Sequence, residues 1–286
     1  MQKVAILTDG TCCLPADIVR EYGIAAVPIV VMHQGRSYRD GVDITPEQVY
    51  RIMRQRNDLP TTSTPSVGDF MQAFQRLSRT AESILCITLT SLQSQIFEVA
   101  RLAREAALKE LPDTPIEVLD SRSVAGALGL IVLEAAREAH RGSALAQVTE
   151  TARKMMGRVR FVAMVDTLYY LARTGRVARA AAWAGSLLNM KPVLEHVPEV
   201  GETAPLARPR TKEKAIDVML DYMASHVGTR KAHVTVNHAD EPDEARKLVE
   251  RVRAMFDCAE VHMADLTPGM GVHAGPGVLG IGFWAE

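Results

Sequence analysis

The chain is short of the features that mark most specialised proteins. Of its 286 residues only four are cysteine, Cys12, Cys13, Cys86 and Cys258, and none stands at a metal-ligand spacing from the others. With no export signal in view, a disulfide framework has no support and a reducing cytoplasm is the expected compartment. The formal net charge is -1, which argues against a nucleic-acid partner. Val4–Leu7 before Thr8 and Asp9 is too short an apolar stretch for a signal peptide and reads as a first strand. The uncharged segment Leu266–Ala285 carries six glycines and two prolines without a continuous apolar run, so an integral membrane segment is not expected. There is no Walker loop, no Gly-x-Gly-x-x-Gly after Leu7, no histidine pair at metal-binding spacing and no Gly-x-Ser-x-Gly turn. A nucleotide enzyme, a metal site and a serine hydrolase are therefore poorly supported, and no cofactor is called for.

What is present is apolar material, 47% of the residues, enough for two ordinary domains. Val4–Leu7, Ile84–Leu89 and Ile116–Leu119 are apolar runs, each followed by polar turn residues and then a helical pattern. That order predicts a parallel βαβ sheet. Ala25–Met32 is a further strand candidate. Helices are expected after Thr45, after Ser66 and from Ser91, and from Val124 to His140 with Gly142 as the stop. The second half reads as a strand at Arg158–Val165, helices at Thr167–Leu171 and Val177–Asn189, and a strand-and-turn region at Val193–Leu206. Further on come helices Lys212–His226 and Pro242–Phe256, with strands Ala232–Asn237, Glu260–Met263 and Gly277–Trp284. The fold class is α/β in two domains. An N-terminal parallel-sheet α/β/α domain is expected over 1–157, and a C-terminal mixed α/β domain over 158–286.

Ligands of open parallel sheets sit beyond the carboxyl ends of the strands. Here those turns are rich in hydroxyls: Asp9 and Thr11; Thr90, Ser91 and Ser94; Ser121 and Ser123; and the loop Thr61, Thr62, Ser63 and Thr64. Hydroxyls at helix starts, with free N–H groups and the positive end of the helix dipole, make a receptor for a carboxylate or phosphate. Any one such turn taken alone is more often a cap or a turn former. Their convergence on one sheet edge favours anion capture.

The helix Val124–Leu133 is apolar all round and rich in small residues, which marks it as buried. Gly126, Ala127 and Leu130 there either let a lipid chain approach or pack a helix closely on a sheet. Ala180–Leu188 has the same character. His273 lies in a glycine-rich stretch, Gly271–Gly277, that reads as a constrained loop, where it contacts an anion or serves as a structural hydrogen-bonding residue. Arg173 and Arg176 bind an anion or a protein surface, or are solvated cations at a helix end. Arg208, Arg210, Lys212 and Lys214 form a basic cluster that is either a solvated face or a docking patch.

Several segments together resemble the DegV family: Thr8-Asp9, Tyr38–Asp43, Pro60–Ser66, Asp120–Ser123, Val165–Leu168, Leu187–Pro192 and His273–Gly277. The resemblance spans nearly the whole chain and is similar to the fatty-acid-binding subunits of bacterial fatty acid kinases. It implies a long-chain fatty acid in a tunnel past Gly126, Ala127 and Leu130, closed by the C-terminal domain. The carboxylate would be held by Thr62 and Ser94, with Thr61, Ser63 and Ser91 near it and Arg176 and His273 beside the head group. It also implies a non-catalytic carrier of bound fatty acid, with phosphoryl transfer done by a separate ATP- and magnesium-using kinase subunit. His273 would assist that transfer, and Arg173, Arg208 and Arg210 would serve docking. The chain departs from the family pattern at Gly10, Gln95, Ile96 and Thr174, which changes the shape of the mouth. Two other readings of the same hydroxyl pocket stand beside this one: an enzyme acting on a small anionic metabolite, and a regulatory protein that senses acyl chains.

Overall fold

A computed structural model describes residues 1–55, 58–177 and 190–286. In chain order the first half runs β1 (Gln2–Asp9), α1 (Ala16–Glu21), β2 (Ala25–Val27), β3 (Val30–His33), β4 (Arg36–Arg39), α2 (Pro46–Arg54), β5 (Thr61–Ser63) and α3 (Val67–Leu77). It continues through β6 (Ala81–Thr88), α4 (Ile96–Glu110), β7 (Ile116–Asp120), α5 (Ala125–His140) and α6 (Leu145–Met156). The second half contains β8 (Arg160–Met164), α7 (Tyr169–Arg173), β9 (Val193–Val197), β10 (Glu202–Ala207), α8 (Lys212–Val227) and β11 (Ala232–His238). It ends with α9 (Pro242–Met255), β12 (Cys258–Asp265), α10 (Pro268–Ala274) and β13 (Leu279–Ala285).

Two main sheets result. The first is parallel throughout, in the order β2-β1-β6-β7. The second is mixed, in the order β10-β9-β8-β13-β11-β12, with only β11 and β12 parallel. A small antiparallel sheet, β4-β3-β5, stands beside them. The α/β class with a parallel first half and a mixed second half is as the sequence predicts.

Four local features differ from the sequence reading. Ala25–Met32 is not one strand, because Pro28 lacks an N–H for the ladder; β2 pairs with β1 and β3 turns away to pair with β4 and β5. No helix is predicted between Gly142 and Gly157, yet α6 fills that segment, burying Val148, Thr149, Ala152 and Met155 on one face. The helix expected from Ser91 begins only at Ile96, because Thr90 to Gln95 form the turn that borders the site. The stretch read as a loop around His273 is largely helix, opened by Pro268 at its first turn and stopped by Gly275 at φ +83°. The expected helix Val177–Asn189 and the small-residue run Ala180–Leu188 fall almost wholly outside the described residues.

Helix α5 holds the two sheets together. Twelve of its residues are buried, and it packs on β1 from one side and on β11 and β13 from the other. Its small residues are explained by that position. A Cβ at Gly126 would stand 2.1 Å from Thr235 Oγ1, and one at Gly129 would stand 2.3 Å from the Cys12 carbonyl oxygen. A second apolar core fills the space between the far face of the mixed sheet and α8 and α9. Among the described residues no helix is long and apolar enough to cross a membrane.

Candidate functional site

The carboxyl ends of β1 and β6 open on a cavity of about 380 Å³. Its size falls within the range of small-molecule sites, about 300–1,000 Å³. Six segments form it: the turn after β1, Ile29 between β2 and β3, strand β5 with Thr64, the turn after β6, α7 with the residues after it, and helix α10. Thr11, Thr62, Ser63, Ser91, Ser94, Arg176 and His273 all border it. Thr61, next to Thr62 in the strand, is exposed and does not.

Each of these side chains has a structural reason for its place. Thr62 Oγ1 lies 2.7 Å from His273 Nε2, joining β5 to α10. Ser94 Oγ accepts the Ile96 N–H at 3.3 Å, so the start of α4 is tied to the cavity wall. Ser91 donates its N–H to Asp120 Oδ1 at 3.2 Å, which ties the turns after β6 and β7 together. Arg176 donates from Nε to the Gln93 carbonyl at 3.4 Å and from Nη1 to the Thr174 carbonyl, holding its charge against the mouth. Arg173 donates to the Leu59 carbonyl at 3.4 Å.

Two buried carboxyls brace the mouth from behind. Asp9 accepts from the Leu89 N–H at 2.7 Å, from the Thr11 N–H at 2.9 Å and from the Thr11 hydroxyl, fixing the turns of β1 and β6 to each other. Burial raises its pKa above the ordinary value. Asp40 accepts the Gly269 N–H at 2.8 Å at the start of α10, and burial pushes it up to about 7. Tyr50 adds a second tie, donating to the Leu266 carbonyl at 3.0 Å. Gly271 is required there, since a Cβ would stand 2.7 Å from the Tyr50 ring.

The charge at the mouth belongs to arginine rather than histidine. Burial, with Arg176 and Arg173 adding to it, lowers His273 to about 4, so its ring is neutral at neutral pH. Its Nδ1 is buried without a partner. The assembly is thus a set of neutral hydrogen-bonding groups at a helix start beside the Arg176 guanidinium, which suits a carboxylate or phosphate.

Behind the mouth lies a smaller apolar annex of about 70 Å³, bordered among others by Val124, Ala125, Phe161, Leu194 and Val278. The two spaces share Gln93, Leu171, Met270 and Ala274. Gly126, Ala127 and Leu130 border neither. The sequence reading did not single out Met270, Gln93, His196 or Thr203. The spacing of Met270 and His273, three apart after Thr267-Pro268, was a legible signal for one helix face. Arg208 and Arg210 are exposed and follow β10 at the sheet edge where β8 hands on to α7. Away from the site, Glu134, His233 and Glu260 bring ligand atoms within 4.8 Å of one another, but Arg137 already pairs with both glutamates.

Comparison with known proteins gives a consistent picture. The DegV family, described as one of uncharacterised proteins, matches residues 3–286. A DegV domain-containing protein of Caldanaerobacter subterraneus is 33% identical over 284 residues, covering 99% of each chain. Protein DegV of Bacillus subtilis is 30% identical over 283 residues, 98% of each. Among solved structures, a Thermus thermophilus DegV family protein described as fatty-acid binding aligns with a TM-score of 0.91 at 27% identity, over 99% of this chain and 100% of that one. A stearic-acid-binding protein from Eubacterium ventriosum aligns with a TM-score of 0.89 at 25% identity, over 99% of this chain and 98% of that one.

Proposed function

This chain belongs to the DegV family, and from that premise we propose that it is a long-chain fatty acid binding protein that presents the bound carboxylate to a partner kinase. The observation that carries the proposal is the junction of a hydroxyl-lined mouth with an apolar annex through shared residues. One end suits a carboxylate and the other a hydrocarbon. Solved relatives described as binding fatty acids support the same reading.

In this proposal Thr62 and Ser94 donate to the carboxylate, with Ser63, Ser91 and the first N–H groups of α4 around it and Arg176 supplying positive charge. His273, neutral and fixed by Thr62, stands where the head group would be phosphorylated. Thr61 is left out because it does not border the cavity. The acyl chain runs past Gln93 and Met270 towards Val124 and Ala125, rather than along Gly126, Ala127 and Leu130, which border neither cavity. Burial at about 0.8 kcal/mol per methylene makes the tail the larger source of affinity. Hydrogen bonds to the charged head, about 1.5–3 kcal/mol each, fix where it stops.

The chain supplies no catalysis in this reading. The phosphoryl group would come from an ATP- and magnesium-using kinase subunit docking in the cytoplasm on the face of Arg173, Arg208 and Arg210. Organic extraction of the purified protein followed by mass spectrometry tests the carrier role. A stoichiometric fatty acid is expected, and a polar metabolite in its place would favour an enzyme. Incubation of the loaded protein with a fatty acid kinase catalytic subunit, ATP and magnesium tests presentation. Acyl phosphate, trapped by hydroxylamine as the hydroxamate, is the expected product. Failure to form it with a catalytic subunit active on another carrier would remove the kinase step and leave binding standing.

A further inference from the structure

A polar chain whose direction the geometry fixes runs from the annex wall to a residue shared with the mouth. His196, 2% exposed, places Nε2 at 2.8 Å from the Arg122 carbonyl, which can only accept, so Nε2 carries the ring proton. Its Nδ1 is then an acceptor in the neutral ring, and the Thr203 hydroxyl at 3.3 Å donates to it. Thr203 in turn uses its oxygen to accept from Gln93 Nε2 at 2.9 Å. One N–H of the Gln93 amide is therefore engaged and its orientation set. Gln93 borders both compartments, so a residue with a pinned polar amide stands where mouth and annex meet, beside Leu171, Met270 and Ala274.

We infer that Gln93 is the residue that sets acyl-chain selectivity, making the stretch of chain that crosses the passage contribute less to binding than the stretches on either side. The inference rests on the fatty-acid reading above. A methylene pressed on an apolar wall gains the full transfer free energy, whereas one pressed on an amide removes water from a polar group and returns nothing. Thr203 and His196 act as positioning residues, because they keep the amide from turning aside.

The test is a chain-length series of saturated fatty acids from eight to eighteen carbons, bound to the delipidated full-length protein. An apolar channel of uniform wall gives about fourfold in affinity per methylene throughout. The expected result is a plateau one to three carbons wide, with the steep rise on both sides. In Gln93→Leu the plateau disappears, and octadecanoate gains at least threefold relative to dodecanoate. In Gln93→Glu that ratio falls at least threefold. Every acid in the series carries the same carboxylate, so the ratio cancels any effect on the head group. An unbroken rise in the wild-type protein overturns the inference without any variant. A plateau that persists in Gln93→Leu, at an unchanged unfolding temperature, also overturns it. If no acid of any length binds, the carrier reading itself fails.

Discussion

Thr62 Oγ1 and His273 Nε2 stand 2.7 Å apart although 211 residues separate them in the chain. The contact links the small antiparallel sheet to α10 and fixes one rim of the mouth against the other. Thr62→Val removes the hydroxyl while keeping the shape. Because a hydrogen bond to a charged carboxylate is worth about 1.5–3 kcal/mol, the expected loss of fatty-acid affinity is about tenfold or more. Thr62→Ser should keep most of it. Displacement of a fluorescent fatty acid measures both, and equal affinity in Thr62→Val and wild type would count against Thr62 as a carboxylate donor.

Ser94 should behave more mildly. Its oxygen accepts the Ile96 N–H at 3.3 Å, so removing the hydroxyl frees a backbone donor at the same place. Ser94→Ala is expected to weaken fatty-acid binding about threefold to tenfold and to cost about 1 kcal/mol in unfolding free energy, as loss of a helix-start acceptor does. Loss of all binding in a folded Ser94→Ala protein would mean that the serine does more than share the carboxylate with α4.

Asp40 gives a pH dependence of defined sign. Burial raises its pKa from 3.8 to about 7, so the folded state holds a proton that the unfolded chain releases. Its stabilising contribution is complete below about pH 4 and is lost as the pH rises through about 7. Asp40→Asn keeps an acceptor for the Gly269 N–H and cannot ionise. The stability of Asp40→Asn relative to wild type should therefore increase between these limits, by a total on the order of 4 kcal/mol. His196 and His273, which burial lowers to about 4, act in the opposite sense, losing their stabilising effect as the pH falls from about 6.5. Comparing the two proteins at each pH cancels their effect. Urea unfolding at pH 4.5 and 7.5 makes the measurement, and a constant difference would contradict the assignment.

Gly126→Val tests the packing role of α5. Its Cβ would meet Thr235 Oγ1 at 2.1 Å and Asn237 Oδ1 at 2.2 Å, with no room to shift within a buried helix. Destabilisation of about 2 kcal/mol or more is expected. The fraction that remains folded should carry the same amount of fatty acid as wild type, because the residue borders neither cavity. Lipid lost from protein of unchanged stability would put the acyl chain beside Gly126 after all.

The sequence exposes the parts of this architecture that depend on local chemistry. The capping boxes at Thr45 and Ser66 are both formed, and each marks its helix start to the residue. Thr11, Ser91 and Ser94 meet at one cavity because parallel strands must end on the same side, and Thr62, Ser63 and Thr64 join them from the antiparallel β5, whereas Ser121 and Ser123, buried after β7, do not border it. What stays hidden depends on contacts between distant segments. Nothing local to Gly126 distinguishes a neighbour of lipid from a neighbour of Thr235, since both demand a small residue. His196 and Thr203 look like ordinary strand residues until the β9–β10 hairpin is docked on Arg122 and Gln93. Asp40, within Tyr38–Asp43, has no local mark of its role, and only the approach of Gly269 from 229 positions away makes it the anchor of α10.

Because α5 is covered by a sheet on each side, the halves of the molecule cannot swing apart to admit cargo without baring an oily cylinder to water. In the proposed carrier, entry and exit would therefore fall to rearrangement of the rim, in the segments bearing Thr62, Ser94, Arg176 and His273. The rate of exchange should follow the looseness of that rim and be nearly indifferent to the strength of the central stack.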